Sequence, residues 1–183
     1  DTDADTDTDT DPSTNSFMRV VHAAPEQPAL AIYAPPTPGA LLPGLAPLSG
    51  SGWAQVASGS RLFAAGPAGG TPADSWDDTT VDVVAGRRYS LYVTGSGDNV
   101  MLQAMEEDLT GIPVGQVHLL IVNAGEHLPP ILVHDSQNDV LLVSNQAYGA
   151  AAAVVPAAAG NIALGVDLDG DTAVDVTFNL PGV

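Results

Sequence analysis

Four aspartates with regular spacing lie near the C-terminal end of the sequence, in the stretch DLDGDTAVD. Asp167, Asp169 and Asp171 are separated by single residues, and Asp175 follows four residues later. Calcium in proteins takes roughly six to eight oxygen ligands, and sharply bent loops supply them from alternate residues. Four carboxylates held close together without a cation would repel one another. The spacing therefore predicts a Ca²⁺ site with Asp167, Asp169, Asp171 and Asp175 as its metal ligands.

The same stretch also fits a plain hairpin turn, LDGD, whose acidic side chains lie in solvent. The short calcium loops that it resembles carry glycine at the sixth position. Here the sixth position is Thr172, and the glycine is Gly170. A β-branched residue resists positive φ, so the turn is expected either to differ from those loops or to be strained. The sequence leaves both the calcium loop and the plain turn open.

Two further acidic stretches and the histidines are weaker candidates for metal binding. The stretch 73–82 holds four aspartates at irregular spacing: Asp74, Asp77, Asp78 and Asp82. The stretch 134–139 offers one histidine and two aspartates, although a polar loop is the favoured interpretation there. The four histidines have no close ligand spacing. His22 is expected to be structural, with its side chain hydrogen-bonded to a neighbouring loop.

The sequence carries no familiar motif of enzyme chemistry. It lacks a GxSxG elbow, a Walker loop, a dinucleotide fingerprint and an HExxH pair. A glycosidase would need two carboxylates in a deep cleft flanked by aromatic side chains, and only 5% of the residues are aromatic. We therefore expect a protein that is not an enzyme. Trp53 and Trp76 are candidates for a small sugar-stacking platform, with packing in a core or an interface as the alternative.

Charge and composition exclude several classes of partner. The chain of 183 residues has four arginines, no lysine and 22 acids, which gives a net charge of −18. Such a surface repels nucleic acid and anionic membrane and attracts cations. General acidity, suited to solubility at high salt, is the alternative to specific metal binding. Cysteine is absent, which excludes disulfides. The sequence has no run of about 18 apolar residues, so it predicts no membrane-spanning segment.

Residues 1–16 form an acidic low-complexity tail, DTDADTDTDTDPSTNS. Six of the 22 acids lie in it, and apart from Pro12 it has no apolar side chain larger than alanine, so it buries too little surface to fold alone. One interpretation is a solvated stalk that spaces a surface domain from the cell envelope. Alternating Asp and Thr in an extended chain would also place every Asp on one face. That arrangement favours one of two roles: a row of carboxylates that binds cations, or a strand that adds to the sheet of another subunit.

Short apolar stretches bounded by glycine and proline predict an all-β fold. The stretch 116–134 echoes the stretch 16–33 at an offset of about 100 residues. The sequence therefore predicts two tandem Ig-like antiparallel β-sandwich domains, at 17–112 and 116–183. The second copy is shorter by about two strands, which predicts open edges and an exposed apolar groove. This copy either closes within the chain or accepts a strand from another molecule.

The order of these segments resembles an uncharacterised family, a domain of unknown function, of secreted bacterial and archaeal β-sandwich repeats. The family opens with the pattern R-V-V-H-A-[AS]-P, matched here by Arg19 to Pro25, and later carries L-x-A-G-x-x-Y-T-V, matched by Val83 to Val93. The resemblance is good over 17–108 and weak over 116–183. It implies an Ig-like sandwich at the cell surface, often in tandem and behind an export or lipoprotein signal. It implies no catalytic residues.

These features together predict a secreted structural protein of the cell surface that is not an enzyme, such as a matrix, adhesion or fibre subunit. We expect it to assemble with other copies of itself by strand addition and to be stabilised by Ca²⁺. The alternative prediction is a soluble module that binds surface polysaccharide or another envelope polymer.

Overall fold

The computed structural model describes residues 15–158 and 160–181. The predicted acidic tail lies outside these residues except for Asn15 and Ser16, which open the first strand two residues earlier than expected. Within the described ranges the regular secondary structure is β-strand apart from one 3₁₀ turn, Pro72–Asp74. No helix in this part of the chain is long and apolar enough to cross a membrane. The prediction of an all-β sandwich fold is confirmed.

The first half of the chain builds two β-sheets. Its strands are β1 (Asn15–His22), β2 (Leu30–Tyr33), β3 (Ala40–Leu45), β4 (Ser49–Gly50), β5 (Ala54–Ala57), β6 (Gly59–Pro67), β7 (Asp77–Val83), β8 (Arg88–Thr94) and β9 (Met101–Glu107). One sheet has the order β4-β1-β8-β9, with β5 also paired to β1, and the other has the order β3-β2-β6-β7. The pair β1–β8 is parallel, so the sandwich is not wholly antiparallel as predicted.

Side-chain alternation along the strands builds the core between these sheets. In β1 the buried residues Met18 and Val20 alternate with the more exposed Phe17 and Arg19, as expected for a strand with one face on a core. Leu91 of β8 and Ile32 of β2 are fully buried in the same apolar cluster. The first sandwich therefore has a continuous core to which both sheets contribute.

The second half of the described chain has six strands. They are β10 (Gln116–Val122), β11 (Ile131–Asp135), β12 (Val140–Gln146), β13 (Ala151–Ala158), β14 (Ile162–Asp167) and β15 (Val176–Leu180). Among the described strands, β10 pairs with β13 alone, and the other sheet has the order β12-β11-β14-β15. The core is small, with Ile131, Val133, Val143 and Val166 as its buried members.

The strands of the two halves follow the same order. The sheet β12-β11-β14-β15 corresponds strand by strand to β3-β2-β6-β7, and β10 pairs antiparallel with β13 as β1 pairs antiparallel with β5. In the first half, β1 also pairs with β8, and β9 follows beyond it. Among the described residues, no strand pairs with the corresponding edge of β10.

Candidate functional site

The four predicted aspartates lie at the connection between β14 and β15. Asp167 is the last residue of β14 and is fully buried, whereas Asp175 directly precedes β15. The connection folds back over its own strand, because a Cβ on Gly165 would come within 2.7 Å of Val174 Cγ2. Glycine is therefore needed at this position in β14 for the loop to pack closely over the strand.

The Asp167 carboxylate organises the loop by accepting three backbone hydrogen bonds. Its Oδ1 accepts from the N–H of Asp169 at 3.1 Å and of Gly170 at 2.7 Å, and its Oδ2 accepts from the N–H of Thr172 at 2.7 Å. Burial raises the pKa of Asp167, but the three N–H donors and the nearby His134 outweigh burial and hold the pKa below its ordinary value. The buried carboxylate therefore remains charged at neutral pH.

The loop brings together three of the four predicted ligands. Oxygen atoms of Asp167, Asp169 and Asp175 lie within 4.8 Å of one another. Two oxygens on opposite sides of a calcium ion are about 5 Å apart, since each Ca–O distance is about 2.3 to 2.6 Å. Asp171 does not belong to this group, and its Oδ1 accepts a hydrogen bond from the Ala173 N–H at 2.8 Å. The oxygens of the three grouped aspartates thus have a spacing that suits Ca²⁺.

The second half contains no arginine or lysine that could neutralise these carboxylates. All four arginines precede residue 89 in the sequence, and lysine is absent. His134 acts electrostatically on Asp167. The loop is therefore a centre of negative charge, which attracts cations.

The backbone at Thr172 answers the question that the sequence raised about this turn. Gly170 has φ +83° and Thr172 has φ +74°. The sixth position of the loop therefore adopts the left-handed conformation that usually requires glycine, although a β-branched residue occupies it. The loop stores local strain at this residue.

Replacing Thr172 with glycine is expected to stabilise the protein by about 1 kcal/mol. Relief of the strained left-handed backbone outweighs the larger conformational entropy of glycine in the unfolded chain. The backbone N–H that donates to Asp167 is retained. Urea unfolding of the two proteins measures the difference, and a variant less stable than the parent would contradict the strain.

Three of the weaker metal candidates hold a turn or a strand in place. Asp74 accepts hydrogen bonds from Thr71 in the capping box of the 3₁₀ turn, and Asp77 accepts from the Leu102 N–H at 2.8 Å. Asp135 accepts hydrogen bonds from residues of its own hairpin, with Asn138 Nδ2 at 2.7 Å. Each of these carboxylates fixes a turn or a strand.

An apolar groove is the second candidate site, and it lies between β10 and the strands β14 and β15. Its volume is about 430 Å³, and its lining is mostly aliphatic. The residues that line it include Leu120, Ile121, Ile131, Val133, Leu164, Val166, Phe178 and Leu180. Phe178 is 53% exposed, which is unusual for a large aromatic residue that adjoins a core.

His22 and Arg19 of the opening strand have structural contacts in the first sandwich. His22 is fully buried, and its Nε2 lies 3.0 Å from the carbonyl oxygen of Pro28, which confirms the predicted contact with a neighbouring loop. The Arg19 guanidinium pairs with Glu107 at 2.7 Å and lies 5.0 Å from the ring centroid of Trp53. The sequence did not reveal these partners, because they lie 34 and 88 positions away from Arg19.

The two tryptophans have different environments. Trp76 is partly buried and packs against the core of the first sandwich. Trp53 is 37% exposed, and its ring lies under the guanidinium groups of Arg19 and Arg88, at 5.0 and 5.2 Å from the ring centroid. Of the two tryptophans, Trp53 is therefore the one with an exposed ring next to cationic groups.

Comparison with known proteins gives a family but no activity. Residues 6–134 match the family described as a domain of unknown function (DUF4397). This match covers the first sandwich and reaches into β11, so the aspartate loop lies outside it. A search of the curated proteins found no match. Because the matched residues make up well over half of the sequence, the chain belongs to the DUF4397 family.

Proposed function

We propose that this protein is a secreted structural protein of the cell surface, such as a matrix, adhesion or fibre subunit, and that it is not an enzyme. In this proposal its second half is a shortened copy of the first. It assembles with other copies by accepting a strand, and Ca²⁺ stabilises the accepting half. The observation that carries the proposal is the apolar groove beside the unpaired edge of β10.

The first sandwich provides the template for the added strand. There, β8 runs parallel to β1 with Val20 opposite Leu91, and Leu91 is fully buried. The position that corresponds to β8 in the second half lies beside β10, where the groove is open. A strand added there would satisfy the free N–H and C=O groups of β10 and bury alternate apolar side chains in the groove.

Calcium has a specific place in this proposal. The aspartate loop connects β14 to β15, and β15 carries the groove residues Phe178 and Leu180. An ion held by Asp167, Asp169 and Asp175 would tie the start of β15 to the end of β14. Bound Ca²⁺ would therefore order one wall of the groove before a strand enters it.

Replacing Phe178 with lysine is expected to abolish assembly, because a charged side chain in the groove opposes burial of an apolar strand. The mass of the parent protein, measured by light scattering in the presence of calcium, is expected to rise with concentration. The variant is expected to remain monomeric over the same range.

Val84→Lys is the matched control for this experiment. Val84 is also 53% exposed, but it lies in the first half, just after β7. This variant is expected to assemble like the parent. A parent protein that stays monomeric up to millimolar concentration, or a Phe178→Lys variant that assembles normally, would contradict the proposal.

A second candidate function is binding of surface polysaccharide, and the exposed ring of Trp53 favours it. A sugar that stacks on this ring would change its fluorescence, and Trp53→Ala is expected to weaken binding about tenfold or more, since stacking contributes roughly 1 to 3 kcal/mol. Titration of a panel of neutral and acidic glycans measures this effect, with Trp76→Phe as the variant that keeps the surface ring. Unchanged fluorescence across the panel would count against glycan binding.

A further inference from the structure

All four arginines of the chain are gathered around the first five residues of β1. Arg19 lies in the strand itself, and Arg88 is the register partner of Phe17. The carbonyl oxygen of Arg87 accepts a hydrogen bond from the Phe17 N–H at 3.0 Å. Arg61 donates to the carbonyl oxygen of Ala57, the register partner of Asn15. We call this group, Arg19, Arg61, Arg87 and Arg88, the arginine end.

Two of these four arginines have no acidic partner within the described part of the chain. Arg19 pairs with Glu107, and Arg87 lies 3.5 Å from Glu106. Arg61 donates only to backbone carbonyls, and Arg88 contacts the rings of Phe17 and Trp53. Unpaired guanidinium groups are unexpected in a chain with 22 acids. The arginine end therefore has two guanidinium groups that can each still pair with a carboxylate.

The described chain begins at the same place, and the acidic tail precedes it in the sequence. Six aspartates occupy alternate positions from Asp1 to Asp11, and the described chain begins at Asn15. Asp11 is separated from Asn15 by a length of chain that spans at most about 14 Å when extended, and Asn15 is the register partner of Ala57, to whose carbonyl oxygen Arg61 donates. In an extended conformation, this alternation would place the carboxylates on one side of the chain.

We propose that the aspartates of residues 1–11 bind in cis to the arginine end of the same molecule, where they pair with Arg61 and Arg88. A linked segment has an effective concentration in the millimolar range without any second molecule. Free polyanions and further copies are disfavoured as occupants, since each must approach a molecule of charge −18. The proposal is independent of strand addition at the second half.

A spin label in the tail tests this contact in the full chain. The sequence has no cysteine, so Thr6→Cys gives a single site for a nitroxide. Paramagnetic broadening of the amide signals of Ala57, Arg61 and Arg88 is then compared with that of signals in the β11–β12 hairpin. The docked tail is expected to broaden the first set strongly and to leave the second set unchanged.

Removal of the arginine charges supplies the decisive comparison. In Arg61→Gln/Arg88→Gln the broadening at Ala57 is expected to fall by about twofold or more, and about 1 M salt should reduce it likewise, because the Debye length then is about 3 Å. Gln137→Glu/Ser144→Asp changes the net charge equally but lies in the second half, and it should leave the broadening unchanged.

Three results would overturn the proposal. The first is broadening that does not respond to the arginine substitutions or to salt, which would mean that the label is near only because the tail is attached there. The second is broadening that appears in a mixture of two proteins, one that carries the spin label but no ¹⁵N and one that carries ¹⁵N but no spin label. That result would place the tail on a second copy. The third is an equal loss in the charge-matched control, which would indicate general charge rather than pairing.

Discussion

Replacing Glu107 with alanine is expected to destabilise the folded chain by about 2 kcal/mol, since the variant leaves the fully buried Ser90 hydroxyl without its hydrogen-bond partner and removes the carboxylate that pairs with the partly exposed Arg19. Glu107 is 4% exposed. It accepts hydrogen bonds from Arg19 at 2.7 and 3.0 Å and from the Ser90 hydroxyl. Its second oxygen lies 3.8 Å from His118 Nδ1 of β10. The side chain thus joins β1, β8 and β9 and contacts the second half.

Glu106→Ala is the control for this prediction. Glu106 is exposed and lies 3.5 Å from Arg87, and exposed pairs of this kind contribute roughly 0 to 1 kcal/mol. Urea unfolding of both variants measures the two effects. Equal stability of the Glu107 and Glu106 variants would show that the network around Glu107 does not hold the first sandwich together.

Saturating calcium is expected to raise the free energy of unfolding by about 2.7 kcal/mol at about 100 times the dissociation constant. The binding energy comes from carboxylate oxygens that the folded loop already holds within 4.8 Å of one another. The variant Asp169→Asn/Asp175→Asn is expected to lose this response, because it removes two charged ligands from the site. Thermal unfolding with calcium and with EDTA measures the effect in each protein.

Asp171 supplies the matched control, because its carboxylate lies outside the group of converging oxygens. Asp171→Asn removes one charge from the same loop and is expected to keep most of the calcium response. An equal loss in both variants would mean that general acidity attracts the ion. No response in the parent protein would make the stretch a plain acidic turn.

Local patterns in the sequence predicted the strands, and they indicated that aspartate side chains meet in the loop between β14 and β15. Alternation in β1 indicated its buried face correctly, and the spacing of Asp167 and Asp169 indicated carboxylates that converge. Asp171 was included because spacing alone does not record the backbone path. The backbone of this loop adopts the left-handed conformation at Thr172. Along this path the Asp171 carboxylate does not join the converging oxygens.

Long-range pairing was beyond the reach of the sequence patterns. The parallel register of Val20 with Leu91 joins strands about 70 positions apart, and no local signal specifies it. The same holds for Arg88, whose contacts with Phe17 and Trp53 depend on how three separate strands and loops meet. The arginine end therefore became visible only in the folded structure.

Hydrogen–deuterium exchange along β10 tests the central claim, strand addition at its free edge, most directly. Exchange of the amides of Gln116–Val122 is measured with calcium at low and at high protein concentration. The account predicts that the amides on the unpaired edge exchange rapidly in dilute solution and become protected as copies assemble, and that Phe178→Lys prevents this protection. Exchange in β10 that is the same at all concentrations, while the protein assembles, would contradict the account.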